Sequence, residues 1–117
     1  MKTEQVIEES KLIAEFMGAS HKVDNGIEYI CLSEWQNTHT LRFHTSWDWL
    51  MPVVEKIESV TTKKYPDGFI VRIEGRDVII LTLRGELMVC DYDYDGSKLE
   101  RVYWMCLRFI QWYNENK

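Results

Sequence analysis

Residues 65–91 read YPDGFIVRIEGRDVIILTLRGELMVCD, and the alternation inside this stretch decides the fold class. Tyr65-Pro66-Asp67-Gly68 is turn chemistry, with Pro presetting φ and Gly free to take a left-handed conformation. From there Phe69, Val71 and Ile73 alternate with Arg72 and Glu74. A period of two puts one side of the segment on a core and the other toward water, the pattern of a half-buried strand. Gly75-Arg76-Asp77 and Arg84-Gly85-Glu86 are short enough to be hairpin loops. Three strands are therefore predicted in succession, about Phe69 to Glu74, Val78 to Leu83 and Leu87 to Asp91. The middle one is apolar on both faces, which predicts a central strand with both sides at least partly covered.

Helices flank this unit. Downstream, Ser97-Lys98-Leu99-Glu100 is a capping box, and Leu99, Val102, Tyr103, Cys106, Phe109, Ile110 and Tyr113 form a wide apolar stripe. Met105 and Trp112 widen the arc beyond half the circumference, more than one sheet face covers. Either the first helix packs alongside it or a partner subunit does. Trp104 falls among Glu100, Arg101, Arg108 and Gln111, on the polar side.

Upstream, His44 to Glu58 reads as a capped, aromatic-rich helix running to about Val60, with Leu50, Val53, Val54 and Ile57 as its core face. Thr45 and Asp48 make a loose capping box, and Pro52 predicts a bend near Met51. A first amphipathic helix runs from about Glu4 to Met17 and is closed by Gly18. Between these helices, Asp24-Asn25-Gly26 marks a turn. Ile27 to Leu32 and Thr40 to Phe43 then read as a hairpin around the turn chemistry of Gln36-Asn37-Thr38.

The predicted fold is a single α+β domain over residues 1–117. It is a mostly antiparallel sheet of about five strands packed with three helices, in the order α-β-β-α-β-β-β-α. A three-layer α/β/α sandwich is one arrangement of these parts. A chain of 117 residues is long enough for a real core without staples, and a hydrophobic share of 45% makes disorder no default. The net charge of −5 argues against binding nucleic acid through a basic patch; Lys63-Lys64 is the only adjacent basic pair. Three cysteines, Cys31, Cys90 and Cys106, are an odd number without CxxC spacing and read as packed thiols in a reducing compartment. With no signal-peptide pattern and no apolar run near the ~20 residues of a membrane span, the expected location is the cytoplasm, with no membrane partner.

Three segments carry a resemblance: Leu12-Ile13-Ala14-Glu15-Phe16-Met17-Gly18, the His44-to-Glu58 helix, and Phe109-Ile110-Gln111-Trp112-Tyr113-Asn114. In this order they resemble small uncharacterised proteins of phage and prophage-like regions of bacterial genomes, some described as an "ABA sandwich" domain. The resemblance implies an α+β fold and an origin in a mobile element. Its motifs are helix-packing patterns and supply no catalytic or binding residues.

Chemistry-bearing patterns are few. Asp91-Tyr92-Asp93-Tyr94-Asp95-Gly96 copies the first half of a calcium loop, but the position of the closing bidentate Glu falls on Val102. Asp91, Asp93 and Asp95 are thus at most a weak calcium site, and the expectation is that they form none. His39, His44 and Cys31 lack the accompanying HExxH or CxxC of a zinc site, and Cys31 with His44 carries no signature of a nucleophile pair. No phosphate-binding or dinucleotide glycine pattern occurs, so no cofactor is expected. Exposed aromatics are typical interface anchors, which makes Trp104, Trp47, Trp49 and Trp112 the candidate interaction residues. The leading expectation is a small non-enzymatic module that binds a protein partner or itself. Its alternative is a ligand binder or enzyme with a pocket near Trp47, Trp49 and the acidic loop.

Overall fold

The computed structural model describes residues 4–74, 77–90 and 96–116. Three helices stand close to their expected positions. Helix α1, Glu4–Phe16, buries Ser10, Ile13 and Ala14. Gly18 closes it at φ 84°. The Gly18 N–H donates to the Glu15 carbonyl and the Ala19 N–H to the Ala14 carbonyl, each at 3.0 Å, the two bonds of a Schellman cap.

Helix α2, Trp47–Ser59, buries Leu50, Val53, Val54 and Ile57 and runs through Pro52. The expected Thr45–Asp48 box does not form, since Ser46 is the N-cap and makes no side-chain cap bond. Counted from Ser46, the third helical position is Trp49; Asp48 lies one residue too early to reach back. Helix α3, Lys98–Asn116, does carry its capping box. The Glu100 N–H donates to Ser97 Oγ at 3.2 Å, and the Ser97 N–H donates to the Glu100 carboxylate at 3.1 Å.

The sheet prediction needs correction. Instead of one five-stranded sheet there are two antiparallel sheets of three strands each. The first comprises β1 (Ser20–Asp24), β2 (Ile27–Cys31) and β3 (Trp35–Asn37), with β2 central. Strand β1 has no apolar alternation and all five of its residues are exposed, so periodicity is silent there. Its formation follows from the two-residue turn Asn25-Gly26, both at positive φ, which sets Asp24 opposite Ile27 as favoured hairpin turns do.

The expected strand Thr40 to Phe43 is absent. Residues Thr38–Thr40 form one 3₁₀ turn, fixed by the His39 N–H donating to Asn37 Oδ1 at 2.8 Å and Thr40 Oγ1 donating to the Asn37 carbonyl at 2.7 Å. Such local side-chain bonds compete with a strand ladder. Leu41 and Phe43 still reach the core, from irregular backbone. The partner of β2 is instead Trp35–Asn37, a segment expected to be turn.

The second sheet holds β4 (Phe69–Glu74), β5 (Asp77–Thr82) and β6 (Leu87–Cys90), with β5 central as expected. A register shift lies between Ile80 and Leu81 where β6 joins. Helix α2 packs on β4, and α3 packs on β5 and β6, against the face of Phe69, Val78, Ile80 and Thr82. On the outer side of β4 the Val71 N–H, turned away from β5, donates to the Glu58 carboxylate of α2 at 3.3 Å. Helix α3 also packs on α1 and α2, so the wide arc is covered within the chain. One contiguous core results, drawn from all three helices, both sheets and the 41–43 segment.

Candidate functional site

Two surface features stand out. The first is the outer face of the second sheet. Because side chains alternate across a strand, the residues opposite the core face are Ile70, Arg72 and Glu74 on β4, Asp77, Ile79 and Leu81 on β5, and Leu87 on β6. The register sets Ile70 beside Leu81 and Leu81 beside Leu87, an apolar row crossing all three strands. Ile70, Ile79 and Leu81 are half-buried, while Leu83 and Leu87 are 53% and 51% exposed. Coverage of β5 is thus partial on this face, where Ile79 and Leu81 are half-buried, and complete on the other, as expected for a central strand with both sides at least partly covered. Beside the row, Arg72 lies 3.6 Å from Glu74, and Asp77 is paired with Glu74 across the strands.

The second surface is an open groove of about 430 Å³ between the β2–β3 connection and the start of α2. Leu32, Met17, Phe43, Trp49 and Pro52 form its walls, and Glu34 and Asp48 stand among them. The Trp49 ring meets Phe43 edge-on at 5.3 Å, an arrangement aromatic quadrupoles favour. No lysine, arginine, histidine or cysteine lines this groove.

The tryptophans singled out from sequence fall into different roles. Trp49 both closes the core and walls the groove; Trp47 is 37% exposed and does not line it. Trp112 is half-buried in an aromatic cluster with Tyr65, Phe69 and Phe109, at centroid distances of 5.8–6.0 Å. Trp104 is not on a free polar side: it is half-buried against the core, with the Arg108 guanidinium 5.5 Å from its ring. Sequence reasoning passed over Trp35, which is 46% exposed on β3 and carries the Lys22 ammonium 4.4 Å above its ring. Only recognition of β1 as a strand would have brought that pair together.

The histidines are likewise dispersed. His21 lies on β1 and bonds Glu28 at 3.1 Å, His39 lies in the 3₁₀ turn, and His44 sits against the Tyr103 ring at 6.2 Å. Among the described residues no three His, Cys, Asp or Glu side chains gather where a metal ion could sit. The Asp91, Asp93 and Asp95 loop lies outside the described residues. No helix of the described residues is long and apolar enough to cross a membrane. Comparison with protein families, curated proteins and solved structures finds no match to this chain.

Proposed function

We propose that the chain is a small, non-enzymatic interaction module that associates with a second copy of itself through the outer face of its second sheet. The observation that carries this reading is the Ile70–Leu81–Leu87 row, half-buried to exposed, on strands whose opposite face buries Phe69, Val78, Ile80 and Thr82. A two-fold contact sets the same patch against itself, so an apolar row meets an apolar row. The charges alongside it, Arg72 with Glu74 and Asp77, are of both signs. Opposite charges partly offset one another, so the patch resists the approach of its copy less than a run of like charges would. The arc of α3, which suggested self-association from sequence, plays no part, being filled by α1 and α2. An origin in a phage or other mobile element rests on the resemblance of the three helical segments alone.

Sedimentation velocity at micromolar concentration is the test. A species of twice the 14.0 kDa chain mass is expected, reduced to one chain by Leu87→Glu with the circular dichroism spectrum unchanged. A strict monomer at 100 µM overturns the proposal, as does a dimer indifferent to that substitution. The alternative, a ligand binder or enzyme, draws on the Trp49 groove. As an enzyme site the open groove offers the exposed Ser33, Glu34 and Asp48 but no histidine, cysteine or lysine, a sparse set from which to build a paired base and nucleophile.

A further inference from the structure

Among the described residues, several aromatic rings that reach the surface carry cations of the chain itself. The Lys22 ammonium lies over Trp35 at 4.4 Å and Tyr29 at 5.7 Å, Lys64 over Tyr65 at 5.5 Å, and Arg108 over Trp104 at 5.5 Å. The Trp49 groove differs. Its walls are aromatic and aliphatic, two carboxylates stand in its lining, and none of its lining residues is basic. Its size of about 430 Å³ falls within the roughly 300–1,000 Å³ of ligand clefts. It is nevertheless an open trough, whereas sites for small molecules enclose most of the ligand's surface.

An open apolar trough with acidic groups suits a side chain that is apolar along its stem and cationic at its tip, presented on a larger body. Lysine and arginine have that form, burying their methylenes while the head group stays polar. Tryptophan is the ring that attracts a cation most strongly. We infer that this groove receives lysine or arginine side chains from a basic segment of a partner protein. The stems lie along Trp49, Phe43, Met17 and Leu32, and the head groups reach Glu34 and Asp48. Charge complementarity selects this occupant over a second copy, because the groove belongs to a chain of net charge −5. This surface lies apart from the outer sheet face, and the inference does not rest on self-association.

The test uses the full chain labelled with ¹⁵N, titrated with an acetylated, amidated nonapeptide of alternating lysine and leucine. A peptide with glutamate replacing each lysine serves as control. Saturable shifts of the Trp49 indole and of the 32–36 amides are expected with the lysine peptide alone. Glu34→Gln combined with Asp48→Asn should weaken binding about tenfold, the equivalent of two exposed charge contacts. Both carboxylates are exposed, so the double variant keeps its fold, which its amide spectrum checks. Shifts centred elsewhere, equal binding of the glutamate peptide, affinity unaffected by the double variant, or no saturation below 5 mM would each overturn the inference. Leu87→Glu should leave the titration unchanged, so failure of the sheet-face dimer and failure of this site are read separately.

Discussion

Ser10 is fully buried in α1, and its hydroxyl has no hydrogen-bond partner among the described residues. A buried polar group without a partner carries its desolvation cost uncompensated. Ser10→Ala removes that cost and raises helix propensity, so unfolding in urea should show a gain of about 1 kcal/mol; a loss of that size would mean the hydroxyl is satisfied in solution. Cys106 is the second residue whose surroundings set its behaviour. Burial pushes its thiol up to about 12, and the reactive thiolate is then scarce at neutral pH. Iodoacetamide at pH 8 should spare Cys106 in the folded protein and modify it after denaturation, as located by mass spectrometry. Rapid modification of the native chain would contradict the packing. At this scale the sequence was legible where helical period spoke: Leu50, Val53, Val54 and Ile57 are core residues as expected. It was not legible for Trp104, whose contact with the core depends on how far two neighbouring helices wrap around α3.

The elements differ in how much of their structure is local. The ends of α1 and α3 follow from motifs of four to six residues and were readable for that reason, as was the run of β4, β5 and β6. Strand β1 was not, because its exposed residues carry no apolar period and its pairing with β2 rests on the backbone ladder and polar side chains. It is tied to α1 by a charged cluster: Lys11 bridges Glu28 of β2 at 2.7 Å and Glu8 at 3.2 Å, and His21 of β1 bonds the same Glu28 carboxylate. Lys11, then His21, hold the Glu28 carboxyl below its ordinary value of 4.5, and the Ser97 backbone N–H does the same for Glu100 at the start of α3. A carboxylate whose pKa is lowered by folding stabilises the fold above its unfolded value, and that contribution is lost as pH falls through the lowered one. Melting temperature should therefore hold down to about pH 5 and fall below pH 4.5. The combined Glu28→Gln and Glu100→Gln variant should melt lower at pH 7 and lose less on acidification. Lys11, raised by the same contacts from 10.5, works in the opposite direction and gives up its share only in strong alkali. A double variant that retains the full acid slope would place the sensitivity in other carboxylates.

Taken as a body, the molecule is longer than its chain length requires. Its radius of gyration is 14.6 Å, with extents of 47 × 32 × 22 Å, against about 13.4 Å for an average domain of this size. Its six strands are divided between two sheets, a division hidden from sequence because strand number and pairing partner are set by tertiary packing, not local pattern. The same division leaves two sheets with open edges, where a single larger sheet would have two in all. One of those edges, β4, reads FIVRIE, an apolar, β-branched hexapeptide with no proline and no net charge, the composition from which fibrils grow. The Glu58 carboxylate on the Val71 N–H puts a charge and a fixed side chain where an incoming strand would dock, a known means of blunting an edge. Growth by strand addition is self-propagating, since every strand added offers the next an identical edge. Glu58→Ala should shorten the lag before thioflavin fluorescence and turbidity rise on concentrated storage; an unchanged lag would mean that growth starts from another edge. The lag of that variant thus reports how far one carboxylate on α2 keeps a concentrated solution of this protein clear.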